Sequence, residues 1–478
     1  MTSTSIRKQI SQKSMFNVRI LLFDMLWRLA IILLPWQTRW FAEASLAGWP
    51  WEQARISIYA SYLPMLAAIV IAQFLSKQDL AKNLRQVTFY LIAALSFITI
   101  VNNLIDIRPV AAWWLQIVIL LSFFITLIRA NIELKKVLTW FVIALIPHAF
   151  LALVQVYIQY VPGYSWLGIA TQDPTSLGVS VVQTNGFRYL RAYGGFPHPN
   201  ILGGFMAFGI LISTWLYSDS PSISEKGIKS WKRVFILSTL PLFSAVLFYS
   251  FSRSAWLALA IGLSVLLVPS LIRGSKMGIV AFAAILLTNL AFSIIHLDLT
   301  STRLGLNREP ARLEQQSIST RNQSLINGIK VFQAYPILGT GPNSEILALT
   351  KLNAPFNKEE VEARIGSLEP PHNTWLLMLV NFGVVGALFI FGAVLFLLRQ
   401  TLKYWSSANK KRRDLMLALI TAWIIISIFD YYLWAFWSGQ LLTIFTFFIL
   451  LLWLNTGQKT TQQSKLKNQQ IKLDGKSE

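Results

Sequence analysis

A chain of 478 residues of which 54% are hydrophobic and only 13% charged is not composed like a soluble globular protein, where about a quarter of the residues carry charge. Its mean hydropathy is +0.53, and apolar runs approaching the roughly 20 residues needed to cross a bilayer recur from Leu21 to Leu454. The formal charge of +21 does not point to nucleic acid, because the cations lie between apolar spans instead of on a basic, aromatic-interleaved face of a soluble module. With no cysteine in the chain, a disulfide framework, a thiolate metal site and a cysteine nucleophile are all excluded.

Met1 to Arg19 is polar and basic, with no small-residue cleavage site behind a short apolar core. Residues 1–19 are therefore expected as a cytoplasmic segment, with the first span as its own insertion signal. Apolar spans follow near 20–36, 56–75, 87–105, 110–128, 137–160, 197–217, 234–251, 254–271 and 277–296, and again near 373–398, 414–430 and 438–454. The expected fold is all-α and polytopic with about twelve transmembrane helices, nine within 20–296 and three within 373–454. Asp24 and Arg28 share a face of the first span, where they pair with each other or reach another helix.

Cation-rich short loops mark the cytoplasmic side of a membrane protein. Arg7 to Arg19, Lys77 to Arg85, Arg129 to Lys136, Lys226 to Arg233, Arg273 with Lys276, Arg399 to Arg413 and the Lys-rich tail all fall on one side, while the alternate loops hold few cations. Both termini are thus expected in the cytoplasm of a bacterial inner membrane. Two substantial loops fall on the opposite side, Val161 to Gly195 and the larger 297–372. Within the larger, Leu325, Ile329 and Phe332 recur at helical spacing before Pro336, which predicts an amphipathic helix over Ser319 to Tyr335 lying on the membrane domain. The tail 455–478, rich in Gln, Lys, Ser and Thr, is expected to be disordered.

The candidate chemistry lies in the noncytoplasmic loops. His372 sits in Pro370-Pro371-His372-Asn373-Thr374-Trp375, where the long loop re-enters the membrane; an imidazole there titrates near neutrality and can serve as a general base. His198, in Arg191-Ala-Tyr-Gly-Gly-Phe-Pro-His-Pro-Asn200, either satisfies backbone groups at a helix start or takes part in the chemistry. Arg191, Arg253 and Arg321 map to the same side, Arg253 within a tight turn between two apolar spans. A guanidinium there needs an anionic partner or water, and its planar fork of donors suits phosphate oxygens; snorkelling or an internal ion pair is the alternative. Arg188 reads as a surface residue. Glu369, three residues before His372, either orients the imidazole or is a solvated carboxylate.

The ordered set of Arg-x-x-Gly and Pro-x-Pro-Asn at 191–200, Ser-Arg-Ser-Ala at 252–255, an arginine followed by Pro-Ile-Leu-Gly-Thr-Gly-Pro-Asn at 321–343, and His-Asn-Thr-Trp-Leu before Asn-Phe-Gly-Val-Val-Gly at 372–386 resembles the O-antigen ligase and O-antigen polymerase superfamily, which also includes protein O-oligosaccharyltransferases. The resemblance covers about the C-terminal 60% of the chain. It implies a glycosyltransferase that moves a glycan from undecaprenyl diphosphate to an acceptor hydroxyl outside the cytoplasmic membrane. The acceptor would be a glycan, a lipid A core or another hydroxyl, and the reaction would proceed among membrane lipids. Carried onto matching positions, Arg191, Arg253 and Arg321 would bind the diphosphate and His372 would act on the acceptor. Asn200 and Asn373 lie within the matched motifs. The sequence departs from the pattern after Arg321, where Asn322, Gln323, Ser324 and Leu325 stand in place of an aromatic.

The chemistry is coherent with those residue types. A sugar hydroxyl is a poor nucleophile that a base activates. A departing diphosphate gathers negative charge that fixed guanidinium donors stabilise, and direct attack inverts the anomeric centre. The outer loops offer no Asp-x-Asp pair or His/Asp/Glu cluster with metal-ligand spacing, so transfer is expected to need neither metal nor cofactor. The competing readings are a polymerase of the same superfamily, transfer to a protein hydroxyl, and a flippase for lipid-linked glycans. A flippase would show charges at the middle of several spans and pseudo-symmetry between halves.

Overall fold

The structure, a computed structural model, describes residues 3–46, 49–75, 82–101, 106–184, 186–219, 228–272, 274–306, 312–352, 369–405 and 410–474. Helices dominate, as expected of an all-α polytopic membrane protein, and three two-stranded hairpins decorate one end of the bundle. In chain order the first part comprises α1 (Ser3–Leu33), β1 (Arg39–Phe41), β2 (Ser45–Leu46), β3 (Trp49–Pro50), β4 (Ser57–Tyr59), α2 (Tyr62–Ala72), α3 (Lys82–Val101), α4 (Ile107–Arg129) and α5 (Leu134–Ile158). The middle comprises β5 (Val181–Thr184), β6 (Phe187–Leu190), α6 (Pro199–Ser218), α7 (Ile228–Ser250), α8 (Arg253–Ile272) and α9 (Lys276–Ile295). Beyond it lie α10 (Leu297–Leu304), α11 (Arg312–Ala334), α12 (Glu345–Leu352), α13 (Thr374–Lys403), α14 (Lys410–Phe429), α15 (Tyr432–Ala435) and α16 (Trp437–Asp474).

Among the described residues, seven helices are long and apolar enough to cross a membrane, in α4, α5, α6, α7, α9, α13 and α16, and shorter apolar helices lie in α2, α3 and α8. The second expected span opens as strand β4 before turning helical at Tyr62, and residues 102–105 of the third lie outside the described residues. Helix α6 is the axis of the bundle: 94% of its apolar window is buried, against 17% for α9. It packs on α5, α7, α8 and α14. Asp24 and Arg28 form the intrahelical pair, and the Arg28 guanidinium also lies 5.5 Å from the Trp140 ring centroid of α5, so both readings of that pair hold.

At the end of the bundle away from the hairpins, Asp219 joins three helices by accepting Lys135 at 2.5 Å and Lys411 at 3.3 Å. At the other end the long loop is sewn into the membrane helices largely through backbone hydrogen bonds. Helix α13 breaks at Gly383, whose φ of 60° is open to glycine. The freed N–H groups of Val384 and Val385 donate to the carbonyls of Pro336 and Ile337 at 2.8 and 3.1 Å, and Thr340 and Gly341 donate to Val380 and Asn381 at 2.9 Å each. A Cβ on Gly339 would lie 2.5 Å from the Asn381 backbone. The glycines of both motifs therefore serve one joint.

Helix α11 contains the expected amphipathic helix, begins seven residues earlier, and packs on α12 and α13. Its buried face differs from the expected stripe. Ser324, Asn327, Gly328 and Val331 are buried, whereas Ile329 is 47% exposed. The absence of a side chain at Gly328 lets Pro371 approach, so small residues and not the largest apolar ones set the contact. The tail expected to lack order continues α16 as far as Asp474. Between Gly457 and Gly475 it has neither glycine nor proline, and its Gln and Lys residues are good helix formers.

Candidate active site

The turn between α7 and α8 organises the site. Phe251 adopts a left-handed backbone, φ 48°, uncommon for a residue with a large side chain, and its ring is buried. The carbonyls exposed where α7 ends carry partial negative charge and each holds an arginine. Ser250 O accepts from Arg191 Nε at 2.8 Å, and Phe251 O accepts from Arg303 Nε at 2.7 Å. Arg253, the first residue of α8, lies 3.6 Å from the Glu314 carboxylate, which also pairs with Arg303. Arg321 lies one α11 segment further along, half-buried.

These cations share one region. Burial, then the charge of Arg303 and, more weakly, that of Arg321, pull the Arg191 guanidinium well below its ordinary value. Burial chiefly, and repulsion from Arg253 and Arg321, lower Arg303 against the opposing pull of Glu314. Part of this depression is one cation acting on another, and an anion placed among them would relieve it. Arg253 and Arg303 share the Glu314 carboxylate, whose charge is also felt at Arg191. The expected trio of arginines is thus brought together, and Arg303 with Glu314 joins it unannounced by any motif.

A second, buried relay connects this cluster to the histidines. Arg191 Nη2 donates to Asn200 Oδ1 at 2.6 Å, and Asn200 Nδ2 donates to Asp430 Oδ2 at 2.9 Å. His198 caps α6: its Nδ1 accepts the Asn200 backbone N–H at 3.0 Å, so the ring proton sits on Nε2, 3.0 Å from Ser180 Oγ. Burial, then Arg191, then Arg321, keep this ring well below the usual histidine value and hence neutral. His198 accordingly fills the helix-start role, at the edge of the charged site.

His372 lies between two carboxylates. Its Nε2 is 2.9 Å from Glu369 Oε2 and its Nδ1 is 3.8 Å from Asp430 Oδ1, while the Tyr431 ring meets it edge-on at 4.8 Å. Glu369, 44% exposed at its side chain, is therefore within reach to orient the ring even though it is partly solvated. Nδ1 is sealed from solvent and makes no hydrogen bond among the described residues. Asn373 stands apart from the chemistry: its Oδ1 accepts Leu376 N–H at 2.8 Å as the cap of α13, and its Nδ2 donates to Ile428 O at 3.0 Å. Arg188 donates to Ser176 O at 3.0 Å on the exposed hairpin. No group of three or more His, Asp or Glu residues among the described residues has the geometry to hold a metal ion.

The sequence reading missed Arg303, Glu314 and Asp430. A lone carboxylate closing an apolar span, as in Ile424-Ile-Ile-Ser-Ile-Phe-Asp430, is the signal that could have found the last of them. No curated protein matches the chain. The family model described as O-Antigen ligase matches residues 237–391, a stretch from within α7 to within α13 that contains Arg253, Arg303, Glu314, Arg321, Glu369 and His372. Over residues 237–391 this membrane protein is therefore similar to the O-antigen ligase family, the superfamily its motifs resemble.

Proposed function

We propose that this protein transfers a glycan from undecaprenyl diphosphate to an acceptor hydroxyl at the noncytoplasmic face of a bacterial inner membrane, with both termini in the cytoplasm. The observation that carries the reading is the gathering of Arg191, Arg253, Arg303 and Arg321 in one region, with Glu314 paired to Arg253 and Arg303, close enough to His372 for the charges of His372 and Arg321 both to be felt at His198. An excess of fixed guanidinium donors suits a diphosphate, and their stabilisation grows as the leaving group gains charge. Arg253 and Arg321, the half-buried pair, touch the diphosphate. Arg191, held on Ser250 and Asn200, supplies field and rigidity from behind.

His372 is the base. Beside Glu369 its Nε2 carries a proton, since a carboxylate can only accept. When the acceptor displaces Glu369, that proton is carried on Nδ1 facing Asp430, and Nε2 takes the hydroxyl proton. The acceptor oxygen forms its bond to the anomeric carbon from the face opposite the diphosphate. The anomeric C–O bond to phosphate breaks, its electron pair leaves with undecaprenyl diphosphate, and the configuration inverts. Asp430 steadies the imidazolium. The acceptor is a glycan, a lipid A core or another hydroxyl, and ligase and polymerase differ only in which of these is presented.

The purified protein in liposomes, given an undecaprenyl diphosphate glycan and lipid A core or a second lipid-linked glycan, is expected to release undecaprenyl diphosphate in step with a new glycosidic bond. Movement of intact donor between leaflets without bond formation would overturn the reading in favour of a flippase.

A further inference from the structure

Beside the charged site lies a cavity of about 490 Å³, lined by residues of the first hairpin, the 161–172 loop and the segments before α6 and α16. Its size falls in the range of small-molecule pockets, about 300–1,000 Å³. The 161–172 loop is folded on itself by the Val161–Gln172 and Tyr164–Ile169 bridges. It is docked on the first hairpin's stem by Thr38 Oγ1, which donates to Trp166 O at 2.8 Å. The outer wall of the cavity is thus built by segments that hold one another.

Its electrostatics are the opposite of its neighbour's. Arg39 is paired with Glu52 at 2.6 Å, and Arg55 with Glu52 and Glu43 at 2.9 Å each, so two guanidinium groups meet two carboxylates and little charge is left over. Around that balanced pair stand Phe41, Tyr59, Phe436 and Trp437, the rings of Tyr59 and Trp437 stacked 4.8 Å apart. A second, much smaller pocket that shares Arg39, Glu52, Tyr59, Phe436 and Trp437 with the cavity is lined by Gln116 and Asn343. Both are buried, at 7% and 2% exposure, and Gln116 Oε1 and Asn343 Oδ1 have no hydrogen-bond partner among the described residues. Aromatic faces with amides and neutralised charges recognise a ligand that offers C–H faces and hydroxyls without net charge.

The cavity also communicates with the chemistry. Pro197 lines it directly before His198, and Phe436 lines it while its ring lies 5.8 Å from that of Tyr431, which meets His372. We propose that this cavity is a binding subsite for a neutral oligosaccharide, the sugar portion of the acceptor, which it presents to His372. The inference rests on the glycan-transfer reading. The two anionic-site arginines and this uncharged aromatic cavity then divide the substrates by charge, diphosphate to one side and hydroxyl-bearing sugar to the other.

The test uses the full-length protein in phospholipid nanodiscs with two sets of probes. One is undecaprenyl diphosphate. The other is a panel of neutral oligosaccharides, hexose- and N-acetylhexosamine-containing, together with phosphorylated and uronate-containing counterparts. Neutral members are expected to bind the native protein. Ala170→Trp, which places an indole at the cavity wall, should weaken that binding at least tenfold, and the milder Gln172→Ala several-fold. Undecaprenyl diphosphate binding should be unchanged in both variants, which also reports that they are folded. Neutral sugars that fail to bind, preference for the anionic members, or undiminished sugar binding by Ala170→Trp would overturn the inference while leaving diphosphate binding, and the transfer reading, intact. Failure of undecaprenyl diphosphate to bind the native protein would instead overturn the transfer reading on which the inference rests.

Discussion

Asp430 holds Asn200 through a buried hydrogen bond of 2.9 Å between two residues 230 apart in sequence. Because Asn200 also accepts from Arg191, the carboxylate near the imidazole and the guanidinium behind the diphosphate are parts of one network. Asn200→Ala leaves a buried carboxylate oxygen and a buried guanidinium nitrogen unpaired, which costs about 1–3 kcal/mol. Because the residues share partners, the double change with Asp430→Ala is expected to cost less than the sum of the single changes, read as unfolding midpoints in detergent. Additive costs would show the two residues to be independent.

Arg253 is partly exposed, and its ion pair with Glu314 is long, 3.6 Å. Arg253→Lys puts a point charge where a planar fork stood. Donor affinity or turnover should fall several-fold, and Arg253→Ala should lose more. Full activity in Arg253→Ala would make it a snorkelling side chain outside the site.

Glu345, on α12, is buried and accepts from Asn381 Nδ2 at 2.9 Å, and that burial pushes its carboxyl up from 4.5 to about 7. An acid whose folded value is raised binds its proton more tightly when folded, so the stabilisation is complete below pH 4.5 and is lost as pH rises through about 7. The joint between α12 and α13 should therefore loosen from pH 5 to 8. Glu345→Gln, which keeps the shape and a donor, should flatten that part of the stability–pH curve and raise the unfolding midpoint at pH 8. An unchanged slope in Glu345→Gln would place the titrating group elsewhere.

The chain has no cysteine, so a single introduced thiol reports the side on which it lies. Leu177 is 94% exposed in the same loop region as Arg191. Leu177→Cys should react with a membrane-impermeant maleimide without opening the inner membrane, as the distribution of lysine and arginine requires. Labelling only after permeabilisation would invert the orientation.

Much of the bundle was legible because a bilayer demands long apolar runs, and the residues that break those runs announce themselves. Arg253 and His372 stand out at the ends of spans for that reason. Arg303 and Glu314 did not, because charged residues in a polar loop are ordinary until folding buries them together. The first hairpins were equally hidden: β1 and β4 are three residues each and β2 and β3 two, too short to show an alternating pattern. The face of α11 was misjudged because packing against Pro371 rewards the small Gly328 over the bulkier Ile329. Asn373 shared a motif with His372 but serves as a helix cap, a role that spacing does not separate from chemistry.

The central claim is that His372 takes the acceptor proton while the arginines hold the donor. The most direct measurement is single-turnover transfer from labelled undecaprenyl diphosphate glycan, run alongside donor binding, in the native protein, His372→Ala and Glu369→Gln. The account predicts that His372→Ala binds donor normally and transfers about 10²- to 10⁴-fold more slowly, whereas Glu369→Gln keeps most of its rate. Near-normal transfer by His372→Ala, with donor still bound, would contradict it.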